Sequence, residues 1–135
     1  MLEGFKNILN SNNINNEFNY DEYNFIINFK KQKMENRISM CDKIILSHYN
    51  KLAIILDSKN IKLEKHKYIV PNNITIAQFL FTLRNRISLN SSESIFLFHK
   101  THLIDPGQYV KIIHEKYKDE DGFLYLLVEK ENVFG

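Results

Sequence analysis

Apolar residues along this chain fall into runs whose period changes from segment to segment, and those changes give a first map of its elements. Between Met34 and Tyr49, the residues Ile38, Cys41, Ile45 and Tyr49 recur at helical spacing and predict a helix with one apolar stripe. Lys51 to Leu56 reads as a buried strand. A polar link from Asp57 to Glu64 leads into a second strand, Lys65 to Val70. Pro71 stops it, because proline has no N–H for the ladder. Thr75 with Gln78 three residues later forms a capping box. Ile76, Phe79, Leu80, Leu83 and Ile87 then predict the inner face of a helix. Ile95 to Phe98 is a third strand. Asp105 and Pro106 predict a further helix, with Asp as cap and Pro pre-set for the first turn. Tyr109, Ile112, Ile113 and Tyr117 would face inward from it. Asp119 to Gly122 is a turn, and Phe123 to Val128 is apolar on both faces, as a central strand should be. Glu129 to Gly135 is expected to be a tail with nothing to pack on.

The first residues differ from the rest. Asparagine is dense there and a weak helix former, so residues 1 to about 18 are expected to be mobile. Residues 20 to 30, with Tyr20, Tyr23, Phe25, Ile26, Ile27 and Phe29, are apolar enough to dock as a short helix. The expected division is an Asn-rich extension over 1–28, a folded domain over 29–128 and a flexible tail over 129–135. A hairpin, a crossing helix and a last central strand describe an α+β, ubiquitin-like β-grasp sheet with additional N-terminal helices.

Composition narrows the functional classes. A length of 135 residues, 44% of them apolar, suits one domain with a real core. The formal net charge of +2 is too small to argue for nucleic acid. A single cysteine, Cys41, excludes an internal disulfide framework, and no motif around it supports a nucleophile. The longest apolar stretch is far too short to span a bilayer, so membrane contact needs a surface or a covalent anchor. His99 and His102 are spaced like a metal pair, but no second pair accompanies them and a strand end should place them on different faces. No metal or cofactor is expected, and nothing supports an enzyme.

Three stretches carry a resemblance: Lys67-Tyr68-Ile69-Val70-Pro71; the run FLFTLRNRISLNSSESIFLF from Phe79 to Phe98; and YKDEDGFLY from Tyr117 to Tyr125, continuing to the ENVFG terminus. They resemble the autophagy-related protein 8 family, also called the light-chain and GABARAP family of ubiquitin-like modifiers. The resemblance covers residues 29 to 135, most strongly from 65 onward. His48 to Asp57 matches the family's first strand with a small gap, and the link before Lys65 is shorter than usual.

The resemblance implies a conjugation cycle. Gly135 would be activated by an E1-like enzyme, passed to an E2-like cysteine and transferred to the amine of phosphatidylethanolamine on an autophagosomal or related membrane. Glycine suits that role because it lacks a Cβ and passes through narrow channels. It is the acyl donor, and the nucleophiles belong to the partners. Family members usually carry residues after this glycine that a cysteine protease removes, and the same kind of protease can deconjugate them. The chain would be cytoplasmic, and membrane-associated after lipidation.

The resemblance also implies capture of cargo receptors and adaptors bearing an acidic-aromatic-x-x-aliphatic motif, by addition of a strand to the edge of strand two. The aromatic pocket would use Ile45, Ala53, Lys67, Ile69 and Phe123. The aliphatic pocket would use Tyr68, Val70, Pro71, Ile74, Phe79 and Thr82. Lys51, Lys65 and Lys67 would meet the acidic residues, and Arg84 with Arg86 match the family's basic pair. Cys41, Ala53 and Thr82 depart from the family pattern at the site. Asp21 to Ile26 is itself such a motif and could fill the chain's own pocket or that of a second copy. Two other readings stay open: an unconjugated peptide-binding adaptor of this fold, and a modifier joined to a protein, of the autophagy-related protein 12 type.

Overall fold

A computed structural model of the chain describes residues 18–132; the expectations for residues 1–17 and for Gly135 lie outside it. Two helices come first, α1 (Asn24–Phe29) and α2 (Met34–Ser47). Then follow β1 (Lys51–Asp57), β2 (Lys67–Pro71), α3 (Ile76–Arg86), β3 (Glu93–His99), β4 (His102–Leu103), α4 (Val110–Tyr117) and β5 (Leu124–Asn132). The strands form one sheet in the order β2-β1-β5-β3-β4. β1 and β5 pair in parallel at its centre, and the other pairs are antiparallel. This is the mixed β-grasp sheet expected from the element order. Among the described residues no helix is long and apolar enough to cross a membrane.

The central strands are buried on both faces because helices cover both, and their side chains alternate between two cores. On one face, Ile54 and Leu56 of β1 and Leu124, Leu126 and Val128 of β5 pack under α3 and α4. On the other, Ala53 and Ile55 of β1 and Tyr125 and Leu127 of β5 pack under α1 and α2. The capping box of α3 is formed: Gln78 N–H donates to Thr75 Oγ1 at 3.1 Å, and Thr75 N–H donates to Gln78 Oε1 at 2.9 Å. Ile76, Phe79 and Leu83 are buried on its inner face, with Leu80 and Ile87 half-buried.

The structure corrects four expectations. The stripe on α2 is rotated by about one residue: Arg37 and Cys41 are buried, Met40 and Ile44 are half-buried, and Ile38, Ile45 and Tyr49 are exposed. The last helix starts at Val110, not at Asp105. Asp105 instead folds a turn, accepting from Gly107 N–H at 2.9 Å, and Tyr109, extended and bridged to Thr75, delays the helix to Val110. Its inner face is Val110, Ile113 and His114, with Tyr109 and Ile112 turned outward. Third, residues 129–132 are not tail. They pair with β3, Phe96 opposite Glu129 and Glu93 opposite Asn132. Fourth, β4 makes a two-residue hairpin with β3 in which His99 and His102 are direct partners, so the two imidazoles share one face. Both lie against the Tyr117 ring, at 4.2 and 5.9 Å.

Candidate functional site

The edge on which the peptide site was expected is a true sheet edge. β2 pairs only with β1, register Ala53 to Ile69, and among the described residues no strand covers its outer side. Its residues alternate as the pleat requires: Tyr68 and Val70 point into the α3 core, while Lys67, Ile69 and Pro71 are exposed. An open row of backbone N–H and C=O groups is a template for one more strand.

On the α2 side of this edge, the structure brings together a set that differs from the sequence expectation. Lys67 Nζ lies 4.0 Å from Met40 Sδ and 5.5 Å from the Phe29 ring centroid. Met40 and Ile44 pack against the core that holds Ala53 and Phe123. Ile45, which was expected here, is 44% exposed and outside that core. Cys41 does not line the edge either. It is 1% exposed and lies beneath Gly122, where a built Cβ would sit 2.8 Å from its Sγ. Gly122 also has φ of +94°, so any side chain there meets strain and a clash. Burial, then the charges of Asp121 and Asp42, push the Cys41 thiol up to about 11, which keeps it unreactive.

On the α3 side, Tyr68, Val70 and Phe79 are closed into the core, with the Tyr68 and Phe79 rings edge-on at 5.7 Å. Ile74 is half-buried beside them, and Pro71 and Thr82 are exposed. Thr82 Oγ1 donates to Gln78 O within its own helix at 3.2 Å. A cavity of about 220 Å³ joins Lys65, Tyr68 and Arg86 with the link between β1 and β2. Lys65 Nζ sits 4.8 Å over the Tyr68 ring. Arg84 does not line that cavity, and Lys51 is at the far end of the hairpin, opposite Pro71.

What holds α2 in this phase is a polar cluster that sequence inspection missed. The Asp121 side chain is fully buried. It accepts from Arg37 Nη1 at 2.7 Å, from Phe123 N–H at 2.8 Å and from the Tyr125 hydroxyl. Arg37 Nε donates to Gln32 O at 3.1 Å. Burial opposes the Arg37 charge, but its bonds to Asp121 and Tyr125 prevail and raise its pKa. Burial and the bond to Asp121 hold the Tyr125 phenol well above its usual range. The available sign was Arg37 itself, a charge on the apolar side of a helix, which needs a partner.

A second polar tie fixes α1. That helix has no side-chain cap of its own, and Asp57 at the end of β1 supplies one, accepting from Ile26 N–H at 3.1 Å. The Tyr23 hydroxyl donates to Glu129 at 2.6 Å. Tyr23 and Ile26, the anchors of the motif-like Asp21–Ile26 segment, are therefore buried against their own sheet, and the segment is not laid along β2. Phe25 stacks on His66, just before β2, at 4.2 Å.

A five-stranded mixed sheet crossed by α3 on one face, covered by two added helices on the other and left with a free second strand, defines a ubiquitin-like β-grasp protein. Within that class the relationship is specific. The family model described as "Autophagy protein Atg8 ubiquitin like" matches residues 36–135, and the chain belongs to that family. Its members are ubiquitin-like modifiers and not themselves enzymes. Autophagy-related protein 8 of Pichia angusta is 45% identical over 74 residues, 55% of this chain and 59% of that protein. Autophagy-related protein 8a of Arabidopsis thaliana is 34% identical over 106 residues, 76% of this chain and 87% of that one. Among solved structures, Trypanosoma brucei ATG8 superposes with a TM-score of 0.70 at 31% identity, covering 77% of this chain and 93% of its own. Plasmodium falciparum Atg8, solved in complex with a Plasmodium falciparum Atg3 peptide, gives 0.63 at 28% identity, covering 73% and 91%.

Proposed function

We propose that this chain is a cytoplasmic ubiquitin-like modifier joined through Gly135 to phosphatidylethanolamine, and that on the membrane it recruits proteins carrying an acidic-aromatic-x-x-aliphatic motif. The observation that carries the first half is the family match, which runs to residue 135. An amide bond forms between the Gly135 carboxyl carbon and the ethanolamine nitrogen, with ATP-driven activation removing the carboxylate oxygen. An E1-like and an E2-like enzyme act in turn, and a cysteine protease reverses the bond. Two acyl chains then hold the protein far better than one, since each buried CH₂ contributes about 0.8 kcal/mol.

The free β2 edge supports the second half. A motif peptide adds a strand there. Its aromatic residue goes to the α2 side, between Met40, Ile44, Lys67 and Ile69. Its aliphatic residue goes to the α3 side, between Tyr68, Pro71, Ile74, Phe79 and Thr82. Because Tyr68 and Phe79 are closed over the core in the free chain, the aliphatic side opens as the peptide enters. Lys65 and Lys67 meet its acidic residues, with Arg86 beside them, and Lys51 reaches the peptide from the other end of the strand. The Plasmodium falciparum relative bound to an Atg3 peptide supports a peptide-binding surface on this fold.

Incubation with E1-like and E2-like enzymes, ATP and phosphatidylethanolamine liposomes tests the conjugation directly. The expected result is a mass gain of one phosphatidylethanolamine less water, lost in Gly135→Ala. No gain, or a gain that survives Gly135→Ala, refutes it.

A further inference from the structure

We propose that a basic pocket at the opposite end of the sheet from the C-terminal strand end binds a small anion carrying clustered phosphate groups. A cavity of about 450 Å³ is lined by Lys30 at the end of α1, Lys100 in the β3–β4 turn, and Lys116 and Lys118 at the end of α4. Asp119 is the one carboxylate among its described lining residues, so four ammonium groups against one carboxylate leave +3. Asp119 is itself engaged by Lys30 at 3.8 Å and Arg37 at 3.6 Å. The volume falls in the range of small-ligand sites and exceeds the needs of one phosphate.

The clustering is not explained by local structure. Cations at the end of α4 are favoured by the carbonyls of that helix. This accounts for Lys116 and Lys118, and in part for Lys30 at the end of α1, but not for Lys100 nor for the meeting of three separate elements at one pocket. Lys30 Nζ is held 4.5 Å over the Tyr125 ring and 5.4 Å from the Tyr20 ring. Lys100 sits at φ of +58° in a tight turn that presents it beside His99. His99 registers the environment: burial first, then the charges of Lys100, His102 and Lys30, push its pKa down to about 4. Lysine ammonium groups are compact point charges on flexible stems, able to reach several phosphate oxygens.

The register places the pocket. Glu93 pairs with Asn132 at one end of β3, and His99 is at the other. Six residues of strand separate them, roughly 20 Å. An occupant would therefore leave the C-terminal segment free, and this site stands or falls separately from the conjugation reading. Clustered phosphates reach it from two sources, a free polyphosphate or the headgroup of a phosphorylated lipid.

Titration of the full chain with inositol hexakisphosphate, followed by backbone and imidazole NMR at near-physiological salt, tests the proposal. Saturable 1:1 binding is expected, with shifts centred on Lys100 and Lys116–Lys118 and a rise in the His99 pKa. Lys100→Ala and Lys116→Ala should each weaken binding about tenfold, as for loss of a charged hydrogen bond. Lys100→Arg should retain most of it, and Lys62→Ala, outside the pocket, should change little. Vesicles with and without phosphatidylinositol bisphosphate, run in parallel, separate the sources: co-sedimentation lost in the same two alanine variants points to the headgroup, and binding of the free anion alone points to a soluble ligand. No saturable binding of the free anion, or equal weakening by Lys62→Ala, overturns the proposal.

Discussion

The two faces of the sheet are held by different physics. Under α3 and α4 the core is almost wholly apolar, from Ile54 and Leu56 to Leu124, Leu126 and Val128, with buried His114, 3.1 Å from Gly122 O, as the polar exception. Under α1 and α2 the apolar residues are interrupted by buried polar ties: Arg37 and Tyr125 on Asp121, Ile26 N–H on Asp57, and Tyr23 on Glu129. An apolar face tolerates small shifts of a helix, because dispersion and burial are nondirectional. A charged hydrogen bond does not. The polar face therefore fixes the rotation of α2, and with it which α2 side chains meet the β2 edge.

The largest expected effect comes from breaking that lock. Asp121→Ala removes the close partner of buried Arg37 and leaves it Gln32 O and Asp119 at 3.6 Å, and urea unfolding should show a loss of about 3 kcal/mol. The α2 phase should loosen with it, so affinity for a motif peptide should fall as well. Leu83→Ala, on the apolar face and fully buried, should cost about 3 kcal/mol through its cavity. In that variant peptide affinity should be unchanged at temperatures where the chain stays folded. If the two variants affect binding alike, the distinction between the faces fails.

A smaller effect is expected from Thr75→Ala, which removes the side-chain half of the α3 cap and should cost about 1 kcal/mol by the same denaturation. The smallest is a pH dependence. His99 is neutral in the folded chain down to about pH 4 but takes a proton near its ordinary value of 6.5 when unfolded. Protons in that window favour the unfolded state, so stability is full above it and declines as pH falls through it. Thermal melts between pH 7 and 4.5 should show that slope, and His99→Asn should reduce it, the rest coming from His114, whose pKa burial also lowers.

The same contrast explains what could be read from the residues alone. α3 was legible because everything that defines it is local: the Thr75–Gln78 box and an apolar stripe within one helix. α2 was misread by one position because it carries two apolar stripes, Ile38-Ile45 and Met40-Ile44. The choice between them is made by Asp121, which is 84 residues from Arg37. The start of α4 was misplaced because Asp105 serves a turn as readily as a helix, and the bridge from Tyr109 to Thr75 decided for the turn. The polar sequence after Val128 looked like tail, yet its backbone completes the ladder with β3 and Glu129 receives the Tyr23 hydroxyl. The free edge of β2 was foreseen correctly because the element order alone leaves that strand outermost. The residues beside it were only partly foreseen, Ile45 being taken where Met40 and Ile44 stand.

The claim that the polar face sets the peptide site is tested most directly by a pair of adjacent substitutions. Titrating a peptide with an acidic-aromatic-x-x-aliphatic motif into Ile44→Ala and Ile45→Ala compares the half-buried position with the exposed one. The account predicts that Ile44→Ala weakens binding about tenfold, as for a buried side chain lost from a contact, and that Ile45→Ala leaves it within about twofold. Loss of affinity in Ile45→Ala with Ile44→Ala unaffected would contradict it.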